Sequence, residues 1–237
     1  MWCEKGCKIQ GFHRDGYFQE YAVVDGRNTF ILPDGMDMAS AAPLFCGGVT
    51  AFHAVEECKV QPGQWMVMVG AGGLGQLAVQ YAKAMGMKVI SVDINDAPLD
   101  EAKRLGADHV FNSKTDPRCY DEILKITGGG AAAALNFTAS KASYDSMPQM
   151  IKPVTGILMV VGVPHEPLTF DAFSIIFRRY IIKGACIGTC YNFRPCLEFS
   201  AKHSIKPQID FHPLEDVPQM MEKMRTGKAR GRMAVRF

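Results

Sequence analysis

Three glycines, Gly70, Gly72 and Gly75, stand at G-x-G-x-x-G spacing in the run VGAGGLG. That spacing suits the meeting of a main chain with a pyrophosphate. The first glycine permits a tight turn, the second lets the backbone come close, and the third lets a helix pack on the preceding strand. The free N–H groups and positive dipole end of that helix then face the phosphate oxygens. Glycine-rich turns are common, so context decides. Here an apolar run, Trp65–Val69, precedes the turn and a helical pattern from Leu74 to about Met85 follows it. A second apolar run, Val89–Val92, ends in Asp93, 18 residues after Gly75. A carboxylate at that place bonds the ribose hydroxyls of a dinucleotide's adenosine half. It favours a free 2′-hydroxyl and repels a 2′-phosphate, so NAD(H) is expected over NADP(H). No arginine stands beside Asp93 to receive a phosphate; Arg104 is a helical turn or more away.

The elements that must position these groups follow from the pattern. Strands are expected at Trp65–Val69, Val89–Val92, His109–Phe111, Ala131–Leu135, Ile157–Val161 and Tyr180–Ile187. Between them lie helices at Leu74–Met85, Ala97–Leu105, Tyr120–Ile126, Ala142–Met150 and Ala172–Phe177. Strands alternating with helices at this spacing mean right-handed crossovers and a parallel sheet. The cluster GGGAAAA at 128–134 reads as a tight turn entering a buried strand. Before residue 45, the runs Tyr17–Val24 and Thr29–Leu32, punctuated by glycine and proline, read as strands. After residue 188 a helix at Pro195–Lys202, a strand at Gln208–Phe211, a helix at Val217–Thr226 and a strand at Arg232–Arg236 are expected.

Bulk properties exclude several classes. The 237 residues are 48% hydrophobic and 21% charged, with a formal net charge of +2, which suits a globular protein with mixed charges. No basic stripe suggests nucleic acid and no polybasic patch suggests a membrane surface. No apolar run spans a bilayer and MWCEKGCKIQ lacks a signal peptide's core, so a cytoplasmic location is expected. Eight cysteines (Cys3, Cys7, Cys46, Cys58, Cys119, Cys186, Cys190, Cys196) form no CxxC pair, which argues for free thiols over a disulfide framework or a closed structural zinc. Cys3/Cys7 and Cys186/Cys190 have a usable separation but no matching second pair.

The run QPGQWMVMVGAGGLGQLAVQYAKAMGMKVISVDIN resembles the cofactor domain of zinc-type medium-chain alcohol dehydrogenases, the fungal tetrameric ones in particular. GYFQEYAVVD (16–25), LPDGM (32–36) and APLFCGGVTAFHAV (42–55) resemble the second half of that family's GroES-like catalytic domain. MVVGVP (159–164), IKGACIGT (182–189) and GKARGRMAVRF (227–237) resemble its later elements. The resemblance implies an α/β fold, with a doubly wound parallel-sheet Rossmann domain at 54–188. An incomplete GroES-like β domain would occupy 1–53, with a return to it at 189–237. It implies that Gly70, Gly72, Gly73, Leu74 and Gly75 form the pyrophosphate turn and that Asp93 holds the ribose. Thr50 would pack near the nicotinamide, Val161 and the backbone at Ala185 and Ile187 would read its carboxamide, and Arg232 would pair with the pyrophosphate. Cys46 matches one ligand of the catalytic zinc. Ala97-Pro98 stands where the family often has a lysine.

The family's leading portion, with its other zinc ligands and proton relay, has no counterpart here, so a zinc site in this chain is expected to be incomplete. His13 reads as an exposed loop residue, His53 as a half-buried helix residue and Cys46 as a buried thiol. No catalytic residue is assigned, because Tyr17, Tyr21 and Tyr191 lack context as proton donors. Three readings stay open: an alcohol-dehydrogenase-like oxidoreductase using NAD(H); a short zinc-independent relative doing enone reduction, isomerisation or cyclisation in a fungal pathway; or a non-catalytic NAD-binding subunit. Half of a GroES-like domain leaves apolar faces open, and YIIKGACIGT resembles the edge through which family members pair their sheets. A homodimer or larger assembly is therefore expected, with a small-molecule substrate.

Overall fold

Runs such as WMVMV and KVISVD, apolar without alternation, make strands where both faces of a sheet are covered. The computed structural model, which describes residues 8–188, 190–229 and 231–236, has that arrangement. Two helices come first, α1 (Met38–Ala41) and α2 (Gly47–Glu57). The alternation then runs β1 (Trp65–Val69), α3 (Gly73–Ala84), β2 (Lys88–Asp93), α4 (Asp96–Arg104), β3 (His109–Asn112), α5 (Cys119–Thr127), β4 (Ala133–Asn136), α6 (Lys141–Ser146), β5 (Ile157–Val160), α7 (Ala172–Ile176) and β6 (Ile181–Gly184). It closes with α8 (Cys190–Lys202), β7 (Ile209–His212), α9 (Val217–Arg225) and β8 (Arg232–Val235).

β1 to β6 form one parallel sheet in the order β3-β2-β1-β4-β5-β6. The chain starts in the middle, winds out to β3, and returns to the other side of β1. Connections from β1 and β4 therefore leave in opposite directions and open a crevice at the strands' carboxyl ends. Strand side chains alternate between two cores. Met66, Met68, Leu135 and Met159 pack with residues of α2, α3, α4 and α8, while Val67, Val69, Ala134 and Leu158 pack with those of α5 and α6. α5 stops at Gly128, whose φ of 68° is left-handed, and the glycine turn then delivers β4 as expected. At the base of β1, Trp65 lies beside His109 and under the Lys88 ammonium, 5.3 Å from the ring centre.

The ends of the chain depart from expectation. Among the described residues, Tyr17–Val24 and Thr29–Leu32 hold no strand. The region has an isolated bridge between Gln10 and Arg14 and a 3₁₀ turn at Gly26–Asn28. A strand exists through its ladder, and these segments pair in none among the described residues; Tyr21, Val23 and Ile31 stand exposed. The last strand of the large sheet ends at Gly184, short of Ile187, because its partner β5 ends opposite it at Val160. α6 stops at Ser146, where Pro148 enforces a 3₁₀ turn, Met147–Gln149. α8 begins five residues before Pro195, which lies inside it. β7 and β8 pair in parallel as a separate two-stranded sheet. Among the described residues, no single helix is long and apolar enough to cross a membrane.

Candidate functional site

The glycine turn sits at the crevice. Gly70 donates its N–H to the Val92 carbonyl (2.8 Å) and has a φ of 93°. A Cβ there would also meet the Thr138 methyl at 2.7 Å, so only glycine fits. A Cβ on Gly75 would strike the Gly70 carbonyl oxygen, which makes this glycine the close contact of α3 with the turn. Gly72 begins α3 without a side-chain cap, and a Cβ on it would meet nothing within 4 Å. The N–H groups of Gly73, Leu74 and Gly75 thus open a helix whose end no side chain closes.

Arg232 completes this corner. β8 carries it, with the Arg232 N–H bonded to the Gln208 carbonyl at 2.8 Å. A Cβ on Gly73 would meet Arg232 Nε at 3.0 Å, and one on Gly47 would run into the guanidinium. The side chain therefore lies between the N-termini of α2 and α3. Burial pushes this guanidinium below its ordinary value, and its Nε is buried with no hydrogen-bond partner among the described residues. A buried cation between two positive helix ends is unfavourable alone and well matched to an anion. The orphaned Nε and the uncapped glycine turn fit a pyrophosphate.

Asp93 ends β2 one strand away. Its Oδ2 accepts the Ala71 N–H (2.7 Å), and its Oδ1 accepts those of Ile94 (2.7 Å) and Asn95 (3.0 Å). Three main-chain donors fix the carboxylate and leave lone pairs for further donors. It borders a cleft of about 230 Å³ with Gly70, Ile94, Ser113, Tyr120 and Thr138. Asn136, wholly buried, holds the far wall by accepting the Thr138 N–H and hydroxyl, each at 2.9 Å. Ser113, Tyr120 and Thr138 went unassigned in the sequence. The usable signal was the rule that ligands lie beyond the carboxyl ends of strands at the switch point. Arg104 pairs with Glu101. Ala97 and Pro98 border a separate cavity with Gly72 and Gln76.

The remaining predicted residues gather on the other side of β1. Thr50 is buried in the first turn of α2, its hydroxyl donating to the Cys46 carbonyl at 2.7 Å. Val161 follows β5, and Ala185 donates its N–H to the Val160 carbonyl at 2.9 Å. Ile187 is partly exposed just beyond. A Cβ on Gly188 would stand 3.0 Å from Val49, so the segment after β6 packs on the first turn of α2.

Cys46 corrects an expectation: it is exposed, not buried. It holds the N-cap position of α2 and opens onto a groove of about 640 Å³ with Tyr17, Phe18, Pro43, Arg232 and Val235. The position outweighs the tendency of a thiol to pack inside. Tyr21 and Tyr191 are largely exposed and lie outside the lining of this groove. His13 is an exposed loop residue that accepts the Ile9 N–H, and His53 is half-buried on α2. Cys58, Cys119 and Cys196 are buried, and burial pushes the Cys58 thiol up to about 12. Cys186 is exposed. Cys3, Cys7 and the Cys190 side chain lie outside the described residues. Among those described, no three His, Cys, Asp or Glu side chains come together to hold a metal, so Cys46 has no co-ligands among them.

Residues 73–202 match the model of the zinc-binding dehydrogenase family. Two alcohol dehydrogenases of Geobacillus stearothermophilus are each 34% identical, over 96% and 95% of this chain. The chain spans 66% of either relative, just under two thirds. The alcohol dehydrogenase of the hyperthermophilic archaeon Aeropyrum pernix superposes with a TM-score of 0.87 at 30% identity, over 98% of this chain and 68% of that one. The acetophenone reductase of Geotrichum candidum, solved in complex with NAD, gives a TM-score of 0.80 at 26% identity, over 93% of this chain and 62% of that one. With its Rossmann-like sheet, its glycine turn and these likenesses, the chain belongs to the zinc-binding dehydrogenase family, among the alcohol-dehydrogenase-like members.

Proposed function

We propose that this chain binds NAD(H) along the carboxyl edge of its large sheet and, as an alcohol-dehydrogenase-like oxidoreductase, takes part in hydride transfer with an alcohol or carbonyl compound. The observation that carries the reading is the buried, unpartnered Nε of Arg232 over the uncapped N-terminus of α3. Asp93 stands where an adenosine ribose would complete the dinucleotide, and the relative from Geotrichum candidum was solved with NAD. When bound, the nicotinamide supplies or accepts the hydride. The chain's own residues do the rest of what can be derived. The glycine turn and Arg232 bind the pyrophosphate, and Asp93 orients the ribose and repels a 2′-phosphate. Thr50, Val161, Ala185 and Ile187 wall the nicotinamide end, and the groove beside Cys46 receives the substrate.

A second reading has one specific support, the absence of co-ligands for Cys46 among the described residues. On that reading the chain binds NADH and performs zinc-independent chemistry or none. Titration with NADH and NADPH, followed by alcohol and ketone turnover with and without added zinc, separates the cases. Tight NADH binding, weak NADPH binding and turnover of an alcohol or ketone support the first reading. NADH binding with no redox turnover supports the second, and failure to bind NADH overturns both. We also propose a homodimer or larger assembly formed through the β6 edge; Ile181 and Ile182 on that strand are exposed, as are Phe173, Ile176 and Phe177 in and just after α7.

A further inference from the structure

Met68, Leu135 and Met159 stand in register across β1, β4 and β5, and the same row continues to Lys183 on β6. The first three are fully buried in the core shared with α2 and α3. A lysine at the end of an apolar row is out of place unless it has a partner on that face. It has one: Lys183 Nζ donates to the Glu57 carbonyl at 2.8 Å and pairs with Glu57 Oε1 at 3.2 Å. Glu57 is the last residue of α2, where main-chain carbonyls lack helical donors and the dipole favours a cation. The Lys183 hydrogen bond and charge also hold the Glu57 carboxyl below its ordinary range.

This tie joins two elements that carry opposite walls of the nicotinamide end. α2 holds Thr50 in its first turn, and the chain leaving β6 holds Ala185 and Ile187. β6 is the edge of the sheet, with β5 as its one ladder partner among the described residues. Sliding of α2 along this edge would change the distance between Thr50 and the 185–188 segment, which meet at Val49 and Gly188. The adenosine cleft, built on β1, β2, β3 and β4, contains neither element.

We infer that Lys183 is a positioning residue for the nicotinamide half of the cofactor site, fixing α2 against β6 so that Thr50 and Ala185–Ile187 close on one ring. The inference rests on the NAD(H) reading above. ADP-ribose shares the whole cofactor except the nicotinamide, so comparing its affinity with that of NADH isolates this wall. In calorimetric titrations of the full chain, Lys183→Met weakens NADH binding by about tenfold and leaves ADP-ribose within about twofold, the scale of one lost charged hydrogen bond. Lys183→Arg restores most of the NADH affinity. Equal losses for both ligands, or no loss for either, overturn the inference. If Lys183 serves only to guard the sheet edge, the variant changes assembly and not the ratio of affinities, which also overturns it. Should Lys183→Met fail to fold, Glu57→Gln keeps the main-chain bond and is expected to show a smaller drop in the same ratio; an unchanged ratio there counts against the inference. A wild-type chain that binds ADP-ribose but not NADH, or binds neither, fails the NAD(H) reading itself.

Discussion

A partly buried guanidinium between two positive helix ends costs energy by itself and gains it back when an anion binds. Replacing Arg232 by methionine should therefore act in two directions. NADH affinity is expected to fall by about 10- to 100-fold, the ~1.5–3 kcal/mol of a charge-assisted hydrogen bond. The cofactor-free chain should melt no lower, and calorimetry with and without NADH checks both signs. Single residues differed in how well the sequence exposed them. Gly70, Gly75 and Asp93 were legible because steric and electrostatic needs leave few alternatives at those places. Cys46 was misread, since its identity as a small apolar thiol says nothing about standing at a helix N-terminus over an open groove. Ser113, Tyr120 and Thr138 are ordinary residues made relevant by four strand ends that lie apart in the chain.

At the scale of elements, the turn joining β1 to α3 is the tightest joint. Gly75→Ala gains ~1 kcal/mol of helix propensity and incurs about 3 kcal/mol from a methyl driven into the Gly70 carbonyl. A net loss of about 2 kcal/mol in urea unfolding is expected. A second joint gathers α3, β2 and the start of β3: Asp108 accepts from the Lys83 ammonium at 2.8 Å and from the Val89 N–H at 2.7 Å. Burial raises the Asp108 carboxyl, but these donors outweigh it and hold it below its ordinary value. With the folded value depressed, the stabilisation is complete above about pH 4. It is lost as pH falls through the folded value. Unfolding curves of wild type and Asp108→Asn should therefore differ at neutral pH and converge in acid. The parallel sheet was legible because buried strands and glycine turns mark themselves locally. The segments at 17–24 and 29–32 have strand chemistry too, but a strand needs a neighbour to bond, and no local pattern reports whether one is there.

For the whole molecule, the edge strand β6 and the helix α7 before it both carry exposed apolar residues, and sedimentation should find a dimer or larger species. A double replacement, Ile176→Lys with Ile181→Lys, should shift it toward monomer; a wild-type monomer at micromolar concentration would contradict the assembly proposed. The length of β1 has an optical consequence. Trp65 opens β1, and the glycine turn begins where that strand ends. At ~3.3 Å of rise per residue, Val69 lies about 13 Å farther on. The chain has two tryptophans, and Trp2 lies outside the described residues. Indole emits where a reduced nicotinamide absorbs, so Trp65 is a built-in donor at a range where resonance transfer is efficient. Bound NADH should quench its emission and glow in return, whereas ADP-ribose, lacking the acceptor, should leave the transfer dark.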